Sequence, residues 1–98
     1  MSFDGIWKIT IVTPMGDQHA QLELKQDGAA ISGIASQGGE SAPLIDPSLD
    51  GDRIRWSQDI KKPMPMTVKF DLTRTGDTLQ GTAKAGFFLT ANVTGTRG

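Results

Sequence analysis

The chain has no cysteine, no tyrosine, a single histidine and no long apolar run, and each lack removes a class of function. Without cysteine there is no disulfide framework, no thiolate nucleophile and no cysteine-ligated zinc. With His19 as the one imidazole, a histidine-built metal site is excluded as well, and no metal or cofactor is expected. No stretch approaches the roughly 20 apolar residues that cross a bilayer, so no membrane partner is expected. Met1-Ser2-Phe3-Asp4-Gly5 has neither the basic nor the apolar region of a secretion signal, and the expected location is the cytoplasm. Lys and Arg number 10 against 11 Asp and Glu, and apart from Lys61-Lys62 they stand singly. A nucleic-acid partner needs a concentrated basic face, so none is expected.

What the chain does have is glycine, 12 of 98 residues, set in turn signals about every dozen positions. These are Thr13-Pro14-Met15-Gly16-Asp17, Asp27-Gly28, Gly38-Gly39, Asp50-Gly51-Asp52 and Gly76-Asp77. The segments between them alternate apolar and polar residues, the period of a half-buried strand. Segments over about 5–12, 18–25, 30–36, 42–49, 53–59, 64–73, 78–84 and 88–97 are expected as strands. The clearest sets Met64, Met66, Val68, Phe70 and Leu72 against Pro65, Thr67, Lys69, Asp71 and Thr73. The segment 42–49 is the least regular. Its Pro43 and Pro47 cannot donate to a ladder, which confines it to an edge or a bulge.

The run Leu22-Glu23-Leu24-Lys25-Gln26-Asp27-Gly28 through Gly33 resembles Phe70-Asp71-Leu72-Thr73-Arg74-Thr75-Gly76 through Gly81. Each copy reads as one hairpin, with glycine supplying positive φ in the turn. No segment sustains a helical period. The fold class is therefore all-β: a single domain over 1–98, an eight-stranded antiparallel up-and-down meander barrel. Closure of the barrel removes both sheet edges. It also makes the first and last strands neighbours, bringing Trp7 and Arg97 to the same end, where a guanidinium can stack on an indole.

Gly5-x-Trp7 on the first strand with a late Arg97 resembles the signature of the calycins: lipocalins, fatty-acid-binding proteins and avidin-type barrels. Asp27-Gly28-Ala29-Ala30-Ile31-Ser32-Gly33 likewise resembles the second avidin hairpin. The likeness implies a calycin-like barrel with a general ligand-binding role. The polar residues that hold biotin in avidins have no counterparts in this chain, so no ligand is implied. Some calycin-like barrels promote cyclisation or isomerisation, which keeps an enzyme among the readings.

Strand direction sorts the inward residues by height. Trp7 and Arg97 mark one end, plugged by Leu24, Ile31, Ile54, Leu72 and Leu79. At the other end the candidate ligand-binding residues are Ile11, Ala20, Ala35, Trp56, Gln58, Met64, Met66, Ala83, Phe87, Phe88 and Leu89. The alanines, with Gly33 and Gly81 at mid-height, are expected to leave volume, and thioethers adapt to irregular apolar ligands. Eight strands enclose room for one small molecule or for side chains alone. Gln58 is the one polar side chain of inward parity near this mouth. It is read either as orienting a ligand carbonyl or as marking where its strand leaves the barrel. His19 has outward parity, Asp46, Asp50 and Asp52 read as turn formers, and no catalytic residue is identified. The leading expectation is a non-catalytic binding module for a small apolar or amphipathic molecule. The alternative is a filled barrel acting through outward Ile6, Val12 and Ile34, as a homodimer or docking domain.

Overall fold

Three two-residue hairpins at one end set the frame of the molecule. Gly28-Ala29, Gly51-Asp52 and Gly76-Asp77 each connect residues that pair directly: Asp27 with Ala30, Asp50 with Arg53, and Thr75 with Thr78. The first turn residue is glycine each time, with φ of 62°, 62° and 60°, where an L side chain is strained. At the opposite end Gly38-Gly39 turns the chain with φ of 60° and 83°, two consecutive left-handed residues between Gln37 and Glu40.

The computed structural model describes residues 3–14, 16–60, 66–85 and 89–98, with backbone alone at Ile60, Met66 and Leu89. The strands are β1 Gly5–Thr13, β2 Gly16–Asp27, β3 Ala30–Gln37, β4 Glu40–Pro43, β5 Ile45–Asp50, β6 Arg53–Ile60, β7 Met66–Thr75, β8 Thr78–Ala85 and β9 Leu89–Arg97. All pair antiparallel, in the order β4-β3-β2-β1-β9-β8-β7-β6-β5. The result is a nearly closed up-and-down barrel, all-β as the alternation predicts.

The strand number differs from the expected eight. The single segment expected over 42–49 is two strands, because the chain changes partner at Leu44. Above it β4 pairs with β3; below it β5 pairs with β6. Prolines explain the break. Neither Pro43 nor Pro47 has an N–H to give, and beside Pro47 the β5–β6 register slips between Ile45 and Ser48. Asp46 takes φ 48° in that bulge. At the junction the Leu44 N–H donates to the Gly33 carbonyl of β3 at 3.0 Å, and β5 passes close to β3 below it. β4 and β5 run the same way down the wall and together count as one of eight legs.

Inward positions of every leg meet in one core, including Trp7, Ile9, Leu22, Leu24, Ile54, Leu72, Leu79 and Val93. Gly33 and Gly81 do not leave the volume expected of them. A Cβ on Gly81 would stand 1.9 Å from the Asp71 carbonyl oxygen, and one on Gly33 2.6 Å from that of Glu23. Gly95 is similar, 2.7 Å from Ile9 Cγ2. These glycines mark close approach of neighbouring strands, the local coiling that a small barrel needs to curve.

The Trp7 end is sealed by more than the expected leucines and isoleucines. Phe3 is 1% exposed, its carbonyl accepts the Trp7 Nε1–H at 2.8 Å, and its own N–H donates to Gln26 Oε1 at 2.9 Å. The Arg97 guanidinium lies 4.5 Å from the Trp7 ring centroid and donates to the Asp4 carbonyl at 2.8 Å and to Asp77 Oδ1 at 2.9 Å. Gly5 makes room for it: with φ 127°, a Cβ there would stand 3.2 Å from Arg97 Cδ. Arg74, itself buried, lies 5.5 Å from the Phe3 ring and donates to Asp52 Oδ1 at 2.9 Å and to the Gly76 carbonyl at 3.0 Å. Two guanidiniums over two aromatic rings, each tied to a hairpin, close this end.

Candidate functional site

The mouth lies at the opposite end, and the ladder fixes which candidate residues meet there. Trp56 pairs with Phe70, Phe70 with Ala83, and Ala83 with Ala91, so one row crosses β6, β7, β8 and β9. The Trp56 and Phe70 rings stack with centroids 4.6 Å apart and planes 6° from parallel. Two large rings followed by two alanines is a packing solution: the small residues lie beside the rings, and Ala83 and Ala91 are each only 4% exposed. One step higher, Gln58 pairs with Val68 and Val68 with Ala85.

The other wall is more open. Ile11, Ala20 and Ala35 are half-buried on β1, β2 and β3, and Ala42, paired with Ala35, continues the line onto β4. Half-buried alanines thus stand at Ala20, Ala35 and Ala42 on the β1–β4 side and at Ala85 on β8, while Trp56, Gln58 and Ala83 are covered. Met66 and Leu89 hold strand positions, pairing with Ile60 and Ala85. Met64, Phe87 and Phe88 lie outside the described residues.

Gln58 sits where the barrel fails to close. Above Ser57, which pairs with Ile45, β6 has no neighbour on its β5 side. The Gln58 Nε2–H bridges that seam toward the Pro43 carbonyl at 3.5 Å, at the outer limit of a hydrogen bond. Its Oε1 has no partner, and neither does Trp56 Nε1, although both atoms are buried. Gln58 is 8% exposed and Trp56 3%. A buried polar atom left unpaired costs about 1–3 kcal/mol, so two on one strand face are a departure that wants a cause.

The parity of Trp56 and Gln58 is legible in the sequence; their lack of partners is not. Phe70, Ala42, Ala85 and Ala91 belong to the same rows, and the alternation around Phe70 is the sequence signal that marks its inward face. No ionisable side chain faces the mouth interior among the described residues. Arg74 and Arg97 are at the closed end. His19 is exposed on the outer face, its Nδ1 3.1 Å from Thr10 Oγ1. Asp71 is held below the usual carboxylate range, chiefly by its hydrogen bonds from Arg53, and it too points outward. No group of three His, Asp or Glu suited to a metal ion occurs among the described residues.

Two open hollows lie on the outer face of the sheet rather than inside it. One of about 530 Å³ lies mainly against outward Lys8, Thr10, His19, Gln21 and Ser36, and Ile9, Ala20 and the Gly38-Gly39 turn also border it. The other, about 360 Å³, lies mainly against outward Arg55, Ser57, Lys69, Asp71 and Lys84, and Trp56 and Phe70 also border it. No helix among the described residues is long and apolar enough to cross a membrane. Set against protein-family models, curated proteins and solved structures, the chain matches none of them.

Proposed function

We propose that the protein is a non-catalytic binding module that takes a small apolar or amphipathic molecule at the barrel mouth. The observation that carries this is the contrast between the two ends. At the closed end the Trp7 indole N–H and the Arg97 guanidinium are engaged, and side chains plug the interior. At the mouth, half-buried Ile11, Ala20, Ala35 and Ala42 line one wall, and the opposite wall carries unpartnered Trp56 Nε1 and Gln58 Oε1. A calycin-like relationship agrees with the Gly5, Trp7 and Arg97 cluster, and binding is favoured over catalysis because no Asp or Glu of the described residues faces the mouth.

Ala35→Phe tests the reading, because Ala35 is half-buried and its substitution fills the mouth without displacing a packed ring. Uptake of pyrene, followed by its fluorescence, is expected to fall at least about tenfold while the unfolding midpoint moves by only a few degrees. Unchanged uptake in the folded variant removes the site. Native mass spectrometry of protein from its own cells, repeated after denaturation, reads the same question without a chosen probe. A small adduct lost on unfolding supports the binding module.

A second reading rests on an outer-face row in which exposed apolar residues flank one glutamate. Ile6, Glu23, Ile34 and Pro43 are successive cross-strand partners on β1, β2, β3 and β4, with Ile6 41% and Ile34 46% exposed. A filled barrel would use this row to form a homodimer or to dock on another protein. Light scattering at high concentration that gives a monomer mass excludes the homodimer.

A further inference from the structure

We infer that the mouth recognises an uncharged headgroup carrying both a hydrogen-bond acceptor and a donor, a carboxamide in the fullest match, and that it discriminates against a carboxylate. The inference rests on the binding reading above and names the chemistry of its polar end. Trp56 and Gln58 leave the same face of β6 two residues apart, so their attachment points are about 6–7 Å from each other. Indole Nε1 can only donate. The orientation of the Gln58 amide is set by its neighbour: the Pro43 carbonyl accepts, so Nε2 faces it and Oε1 is left to accept from something else. One unfilled donor and one unfilled acceptor, both buried, therefore stand on one strand.

A carboxamide satisfies both, its oxygen accepting from Trp56 and its N–H donating to Gln58. An alcohol does so with a single atom, less completely. An ionised carboxylate has only acceptors, so it would fill Trp56 Nε1 and set its charge against the Gln58 oxygen. No cation of inward parity among the described residues stands at this end to offset that charge: Lys69 and Lys84 lie on the outer face, and Arg74 and Arg97 are committed at the other end. A charged group taken out of water without a partner is strongly disfavoured, which makes the preference large. The seam adds a route, because Gln58 is tied to β4 by one long hydrogen bond and can turn toward a ligand at small cost.

The experiment compares octanamide, octanoate and pyrene at neutral pH, by displacement and by the indole N–H resonances of the isotope-labelled protein. The two tryptophans give two such resonances, and Trp56→Phe assigns them. Octanamide is expected to bind at least about tenfold tighter than octanoate and to move the Trp56 resonance while that of Trp7, bonded to Phe3, stays. Trp56→Phe and Gln58→Leu should each lower the ratio of octanamide to octanoate affinity about three- to tenfold, whatever they do to affinity for pyrene. Equal binding of octanoate and octanamide overturns the headgroup assignment. So does a Trp56 resonance that octanamide does not shift, the result expected if an enclosed water already serves both atoms. Pyrene taken up without amide preference leaves the binding reading standing and sinks only this inference; pyrene excluded altogether sinks both.

Discussion

Alanine at Gly81 separates two opposite accounts of why the inward face carries glycine. If the glycine leaves open volume, an added methyl group fills space and removes unfolded-state freedom, for a gain of about 0.4–1 kcal/mol. If it marks a close approach of strands, the methyl has nowhere to go. The geometry favours the second. The new Cβ would lie 1.9 Å from the Asp71 carbonyl oxygen and 2.8 Å from Leu72 Cα, both on β7. Carbon–oxygen contacts begin near ~3.3 Å, so β7 and β8 would have to part by about 1 Å or more at the Leu72–Gly81 pair. The obstacle is main chain on a central strand, which cannot swing aside as a side chain can. An overpacking cost of about 3 kcal/mol follows, at the upper end of that class. A domain of this size holds about 5–15 kcal/mol in all, and each kcal/mol moves its midpoint by about 4–8 °C. Calorimetry should therefore show Gly81→Ala melting about 12–24 °C below the parent. Gly28→Ala is the comparison: its Cβ meets nothing within 4 Å, but φ is 62°, so it should lose only about 1–2 kcal/mol. A Gly81→Ala protein as stable as the parent, or more so, refutes the close-approach account.

Phe3→Ala should cost about 3–4 kcal/mol by urea unfolding, because a fully buried ring on the closed end is lost and the Arg74 guanidinium above it is uncovered. A loss under 1 kcal/mol would mean that the segment before β1 is not part of the plug. The pH dependence of stability has a defined sign at Asp71, whose carboxyl is held below the usual range by Arg53, with smaller contributions from Arg55 and Lys84. A depressed folded-state value means its stabilisation is present above the ordinary carboxylate pKa of about 3.9 and fades as pH falls through the lower folded value. The stability difference between the parent and Asp71→Asn should accordingly be constant near neutrality and shrink below about pH 4. A difference that grows on acidification contradicts the assignment.

Parity carried most of the architecture. The alternation from Val68 to Leu72 names the inward face of β7, and the same rule sends His19 outward. What parity does not carry is how the wall bends. Gly33 and Gly81 have inward parity and read as space, yet their freedom from a Cβ is used along the sheet, toward the neighbouring strand. Phe3 lies ahead of the first alternating segment and so escapes a rule built on alternation; its burial comes from the chain crossing beneath the barrel. Arg74 keeps inward parity after Leu72, but its charge argues for a turn; its burial is offset by the Asp52 carboxylate, 22 residues away, together with the Gly76 carbonyl and the Phe3 ring. Pro43 and Pro47 signal an irregular strand. That the chain there transfers from β3 to β6 depends on partners far off in sequence. At the mouth, sequence nominates Trp56 and Gln58 but is silent on hydrogen-bond satisfaction, a property of the whole surroundings.

The seam at Leu44 gives the wall the mechanics of a split ring. Elsewhere around the barrel, widening the cross-section means breaking a ladder of hydrogen bonds. Between β4 and β6 it means stretching the Gln58 strap and hinging at one residue held by the Leu44 to Gly33 bond. The circumference can therefore change by a rotation about the backbone near Leu44, with all eight strand pairings intact. The bore of the barrel is thus adjustable at one place, and the same split sets where amide protons should exchange first.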